Sequence, residues 1–148
     1  MKIIILSFAI AIISNFAYSK EKSDTLVSLT IVIEGIRSEN GNIRVHLYEI
    51  NNQNSFPDKS TQANYLKISK IEGFKCSVTF DNLFPSTYAF TVHHDENLNV
   101  KMDRNLIGLP SEGWALSNNV KPLFKLPNFK DCSFELICTK KFVVNVNY

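Results

Sequence analysis

LVSLTIVIEGIRSENGNIRVHLYEI, residues 26–50, decides the fold class. Val27, Leu29, Ile31 and Ile33 fall on one side of an extended chain, with Ser28 and Thr30 on the other. After Ser38-Glu39-Asn40-Gly41-Asn42 the alternation resumes, with Ile43, Val45 and Leu47 inward and Arg44, His46 and Tyr48 outward. A side-chain period of two is the mark of a half-buried strand. Asn-Gly tolerates positive φ, so two such runs around it predict a β-hairpin.

The same period recurs downstream. NNQNSFPDKSTQ (51–62) reads as a polar connection with a helical turn after Pro57, and YLKISKI reads as a strand. FKCSVTF puts Cys76, Val78 and Phe80 on one face, and residues 81–87 turn the chain through Pro85. TYAFTVHH sets Tyr88, Phe90 and Val92 against Ala89 and Thr91. A long loop is expected from Asp95 to about Lys130, broken by Gly108, Pro110, Gly113, Pro122 and Pro127. CSFELIC and KKFVVNVNY supply the last two strands, with Phe142, Val144, Val146 and Tyr148 alternating in the final one. No helical period and no repeat is present. About seven short strands, each with one polar face, predict an all-β, antiparallel β-sandwich. An outer-membrane barrel would need about eight strands of about ten residues, and the loops here consume too much chain.

Residues 1–19 have the layout of a signal peptide: Lys2, an apolar run at 3–13, and Ala17-Tyr18-Ser19 before Lys20. That apolar run is shorter than the roughly 20 residues of a membrane span. The expectation is export, with residues 20–148 as one secreted or periplasmic domain and no span after cleavage. The chain has sixteen basic and fourteen acidic residues, and loss of Lys2 would leave a net charge of +1. Such balance argues against nucleic acid or an anionic membrane as the main partner. Cys132 and Cys138, six apart on one presumed strand, would stand roughly 20 Å apart. Any internal disulfide would therefore join Cys76 to one of them, the alternative being three thiols.

The loop carries the chemistry. Counting from Asp95, oxygen-bearing side chains recur at positions one, three, five and nine: Asp95, Asn97, Asn99 and Asp103. Position seven, Lys101, offers a backbone carbonyl. That is the ligand rhythm of a calcium loop. Val100 stands at position six, where such loops use Gly, and Leu106 stands at position twelve instead of Glu. Glu112 is the substitute carboxylate. The expected site is a weak calcium site, with affinity on the order of millimolar. The competing reading makes Asp95, Asn97 and Asn99 Asx-turn residues with no ion.

His93 and His94 point to opposite faces of a strand, so both do not easily ligate one zinc ion, and one packed and one solvated histidine is the reading set against a transition-metal site. A hydrolase using Asp95, Asp103 and Glu112 lacks a pocket signal, and no nucleophile motif stands out. Trp114, the sole tryptophan, is expected to plug the loop onto the sandwich.

At these residues a resemblance enters. YAFTVHHDENLNVKMDRNLIGLPSEGWALSNN (88–119) resembles the signature of an exported bacterial family, domain of unknown function 2141: a YA-hydrophobic strand, HDxNxNGxxD, then GxPxEGxGxSN. Tyr88, Ala89, His94, Asp95, Asn97, Asn99 and Asp103 match the first parts. Gly108, Pro110, Glu112, Gly113, Ser117 and Asn118 match the last. VTFDNLFPSTYA and LPNFKDCSFEL also look like family segments, with Thr87 in place of a usual Gly and Cys132 in place of Ala. The likeness covers about residues 26–148. It implies an immunoglobulin-like or transthyretin-like sandwich outside the cytoplasm and no established activity. The expected role is a non-enzymatic binding or interaction module for an extracytoplasmic ligand or protein, with the 95–119 loop as its surface. A hydrolase and a purely structural envelope protein are the alternatives.

Overall fold

The structure, a computed structural model, describes residues 25–122 and 125–148. The leader read at residues 1–19 lies outside them. Eight strands are present among the described residues: β1 (Val27–Glu34), β2 (Asn42–Glu49), β3 (Tyr65–Ser69), β4 (Cys76–Leu83), β5 (Ser86–Asp95), β6 (Gly113–Leu116), β7 (Phe134–Leu136) and β8 (Lys140–Asn145). They form two sheets. One has the order β4-β1-β8; the other runs β3-β2-β5-β6, with β7 also paired to β5. The chain is thus mostly β-strand in two largely antiparallel sheets. β6 meets residues 91–94 of β5 and β7 meets residues 86–88, so the two short strands lie end to end along one edge of β5.

The alternation places the core where it was expected. Leu29, Ile31 and Ile33 from one sheet face Ile43, Val45, Leu47, Tyr88, Phe90 and Val92 from the other, all buried. Phe142 and Val144 of β8 complete this cluster, and Phe90, Phe134 and Phe142 stack edge-on or tilted within 6 Å. Each such side chain contributes about 1.5–3 kcal/mol by leaving water.

Four expectations are corrected. The strands at 27–34 and 42–49 do not form a hairpin: β1 pairs with β4 and β8, and β2 pairs with β3 and β5. Their apolar faces meet across the core instead of lying side by side in one sheet. Gly41 does take positive φ (+72°), but for another purpose: a Cβ there would sit 1.9 Å from the Asp95 carbonyl oxygen. The glycine marks a close approach between backbones, which a sequence cannot distinguish from a tight hairpin turn.

The pairing is also not wholly antiparallel, because β8 runs parallel to β1 from Leu29↔Lys140 to Glu34↔Asn145. The outward face of β2 is covered as well: Arg44, His46 and Tyr48 are all buried. Over Tyr48 the cover comes from the 3-10 turn Ile50–Ser55, the segment that follows it, and the short helix α1 (Phe129–Cys132). Tyr48, Phe56, Ala89, Leu116, Phe129 and Cys132 form a second apolar cluster there, with Phe56 edge-on to both Tyr48 and Phe129. A reciprocal cap fixes α1: Asn128 Oδ1 accepts from the Asp131 N–H, and Asp131 Oδ2 accepts from the Asn128 N–H. Finally, the expected loop 95–130 contains β6 and α1.

All three cysteines are free. Cys76 packs on the inner side of the five-stranded sheet and Cys132 on its outer side, so the sheet separates them. Burial pushes the Cys76 thiol up to about 11 and the Cys132 thiol up to about 12. Among the described residues no helix is long and apolar enough to cross a membrane.

Candidate functional site

The polar rim is built by strand register. Asn42 pairs with Asp95, and Arg44 pairs with His93. On the other side of β5, His93 pairs with Trp114 and His94 with Gly113. Continuing that register by one residue sets Glu112 beside Asp95. Alternation does the rest: His93 and Asp95, two apart on β5, share the outer face, while His94 turns into the core. Asn42, Asp95 and Glu112 therefore form one row across three strands, and Arg44, His93 and Trp114 form the next.

These side chains are buried: Asp95 is 0 % exposed, Glu112 4 %, His93 7 % and Arg44 9 %. His93 Nε2 and Glu112 Oε2 are 2.8 Å apart and share a hydrogen bond. The loop folds its own backbone over the carboxylates. Glu96 N–H donates to Glu112 Oε1 (3.0 Å), Asp103 N–H to Glu112 Oε2 (3.1 Å) and Val100 N–H to Asp95 Oδ2 (3.0 Å). Hydrogen bonds to charged acceptors are roughly twice as strong as neutral ones. Arg44 Nη1 stands 4.0 Å from Asp95 Oδ2, close enough to offset charge and too far to donate. Asp95 Oδ1, Asn42 Oδ1 and Arg44 Nε are buried and bond to no protein group. Nearby His46 is held neutral, its imidazole lowered to about 4 by burial, then by Arg44 and His93.

The remaining residues expected to ligate calcium form a second, exposed group. Asn97 Nδ2 and Asn99 Nδ2 donate to the two oxygens of Asp103 at 2.7 and 3.0 Å. Their carbonyl oxygens accept from the N–H groups of Asn99 and Lys101, giving two Asx turns. The structure thus joins Asp95 to Glu112, and Asn97 and Asn99 to Asp103. Lys101 enters through its N–H. Leu98 and Val100 both adopt positive φ (63° and 70°), so the loop keeps its curl without the glycine.

On the inner face, His94 Nε2 donates to the Asn40 carbonyl (2.9 Å), which leaves Nδ1 to accept from Tyr148 Oη (2.7 Å). Tyr148 Oη in turn accepts the Arg37 N–H (3.0 Å), and the Arg37 guanidinium lies 4.2 Å from the Tyr148 ring centroid. Arg37 also pairs with Glu96 and holds that carboxyl below its usual range. Both faces of the end of β5 are therefore anchored.

Trp114 is half-buried against the second apolar cluster and pairs through its backbone with Asn147, as a plug would. Two shallow surface clefts lie along β3 and β4, away from the loop carboxylates. The sequence reading set His93 against His94 and missed its place beside Asp95 and Glu112. The i, i+2 spacing of His93 and Asp95 was the available signal. Asn42 and Arg44 had none, since they arrive by pairing between strands distant in sequence.

No curated protein and no solved structure matches the chain. A family model does, described as an uncharacterized protein conserved in bacteria, and it spans residues 31–143, which is most of the sequence. With YAFTVHHDENLNVKMD on a buried strand and its rim, and GLPSEGWALSNN returning along that strand's edge, the chain belongs to the family DUF2141.

Proposed function

We propose that the chain is an exported, non-enzymatic binding module, acting in the periplasm or outside the cell, that engages an extracytoplasmic protein or other ligand through the 95–119 loop. The immunoglobulin-like or transthyretin-like form of the sandwich belongs to the same reading. One contrast supports it: the loop backbone is locked, while its aliphatic side chains stand in water. Leu106 and Ile107 are 107 % and 79 % exposed, and Leu98, Val100 and Leu109 are each more than half exposed. Contiguous apolar groups on a soluble surface mark interaction sites.

The tip that displays Leu106, Ile107 and Leu109 is held by its own hydrogen bonds. Asn105 Oδ1 accepts from the N–H groups of Ile107 (3.1 Å) and Leu109 (3.0 Å), and Arg104 Nη1 donates to the Gly108 carbonyl (2.9 Å). Ser111 N–H donates to the Asp103 carbonyl and closes the base of the turn. A surface fixed before binding loses little entropy on docking.

A photo-crosslinking residue at position 107, in the producing bacterium, tests this. The expected result is a discrete adduct that disappears when Leu106→Asp is added and that does not form from position 53. No adduct, or the same products from both positions, would refute the reading.

A further inference from the structure

The geometry points to a divalent transition-metal site, of the zinc and manganese class, formed by His93, Asp95 and Glu112 beneath the loop. One ligand atom from each lies within 4.8 Å of the others, and all three residues are buried. A second observation singles the place out: Asp95, with no exposed surface, has a carboxylate oxygen that accepts no hydrogen bond from the protein. The side-chain oxygen of its strand neighbour Asn42 is likewise buried and unpaired. A carboxylate oxygen left unsatisfied in a protein interior is costly, and a cation relieves that cost directly.

The donor set chooses the metal. An imidazole nitrogen with two carboxylates suits zinc, manganese and their neighbours, whereas calcium takes six to eight oxygens. On binding, the ion takes the place of the proton between His93 Nε2 and Glu112 Oε2. A neutral imidazole moves that proton from Nε2 to Nδ1, and an imidazolium, already protonated on Nδ1, releases its Nε2 proton to solvent. Arg44, 4.0 Å from Asp95, offsets one of the two carboxylate charges. The pair keeps a net charge of −1 for the ion to meet. Because Val100, Glu96 and Asp103 hang on the same two carboxylates by their N–H groups, the ion would tie the start and middle of the loop to β5.

The metal site is independent of whatever the apolar tip binds. Its test is a titration of the mature protein with cobalt(II), followed by visible absorption, and with manganese(II), followed by electron spin echo. Expected are one ion per chain, a nitrogen coupling from one imidazole, and competition by zinc but not by calcium. Glu112→Gln and His93→Gln remove ligands themselves, and each should weaken cobalt binding by at least the roughly 10–100-fold that loss of an outer-shell partner costs. Val143→Thr, exposed on β8 of the other sheet, should leave it unchanged. Should either ligand variant lose its fold, the nitrogen coupling in the wild-type protein still decides. Absence of nitrogen coupling, displacement of cobalt by calcium at equal concentration, or no binding at about 1 mM metal would overturn the site and leave a water between Asp95 and Arg44.

Discussion

Gly41→Ala tests how the loop is held to the sandwich. Gly41 has φ +72°, and a Cβ built on it meets only backbone: the Asp95 oxygen at 1.9 Å, the Glu96 Cα at 2.7 Å and the Asp95 carbonyl carbon at 2.8 Å. Two penalties add. A left-handed conformation costs an alanine about 1–2 kcal/mol. The overlap is a separate term, because Asp95 is hydrogen-bonded into the sheet opposite Asn42 and cannot drift away freely. Overpacking of this kind costs about 1–3 kcal/mol. The expected loss is about 3 kcal/mol, a large part of the 5–15 kcal/mol typical of a domain.

Gly108 supplies the control, with φ +82° and nothing within 4 Å of its would-be Cβ. Gly108→Ala should therefore cost only the conformational term, about 1 kcal/mol. Urea unfolding followed through Trp114 fluorescence gives both values, read as midpoint shifts at constant m. If the two variants fall within about 0.5 kcal/mol of each other, Gly41 does not press on Asp95, and the account of this crossing is wrong.

Two further outcomes are expected. Val100→Gly should stabilise the protein by about 1 kcal/mol, since a β-branched residue at φ +70° stores about 1–3 kcal/mol while glycine adds roughly 0.5–1 kcal/mol of unfolded-state entropy; a lower urea midpoint would count against strain at this position. For His46, the folded imidazole is lowered from 6.5 to about 4, so its contribution is complete above the unfolded value and lost as pH falls from 6.5 toward 4. On the order of 2 kcal/mol should disappear over that window, discounted for residual solvent, and His46→Gln should flatten this limb. Equal acid slopes in both proteins would remove His46 as the cause.

What the sequence revealed and what it hid follow from the range of the interactions. Alternation is a local property, so Leu29, Ile31 and Ile33, then Ile43, Val45 and Leu47, then Tyr88, Phe90 and Val92 were legible as sets sharing a face, and all lie in the core. Strand partners are not local. Asn40-Gly41 announced a positive φ truthfully, yet the same signal serves a hairpin and a crossing between sheets. Arg44, His46 and Tyr48 looked solvated because the pattern on β2 cannot report what covers it: residues 50–56 and 129–132 over Tyr48, and the row of His93 and Asp95 with its loop beside Arg44. Within the site, the Asx spacing located the loop correctly. It said nothing of its division into Asp95 with Glu112 on one hand and Asp103 with two amides on the other, since that split depends on β6 returning beside β5.

The burial of β5 on both faces explains why the polar residues gather where they do. The apolar cover of Phe56, Phe129 and their neighbours reaches Tyr48, Ala89 and Leu116, near one end of the outer face. Toward the other end of β5 the outer face still needs shielding, and the 95–112 loop provides it with backbone N–H groups. A segment that covers with N–H donors must be met by acceptors, so carboxylates at Asp95 and Glu112 are the fitting side chains, with Arg44 to offset charge and His93 hydrogen-bonded to Glu112. The inner face of the same strand end ties His94 to Asn40 and Tyr148, and Tyr148 to Arg37, which reaches back to Glu96. The loop thus springs from a residue anchored on both sides of one strand. Anything that tightens Asp95 and Glu112 from outside should therefore restrain Arg37 and Tyr148 inside, because Glu96 is bonded to both groups.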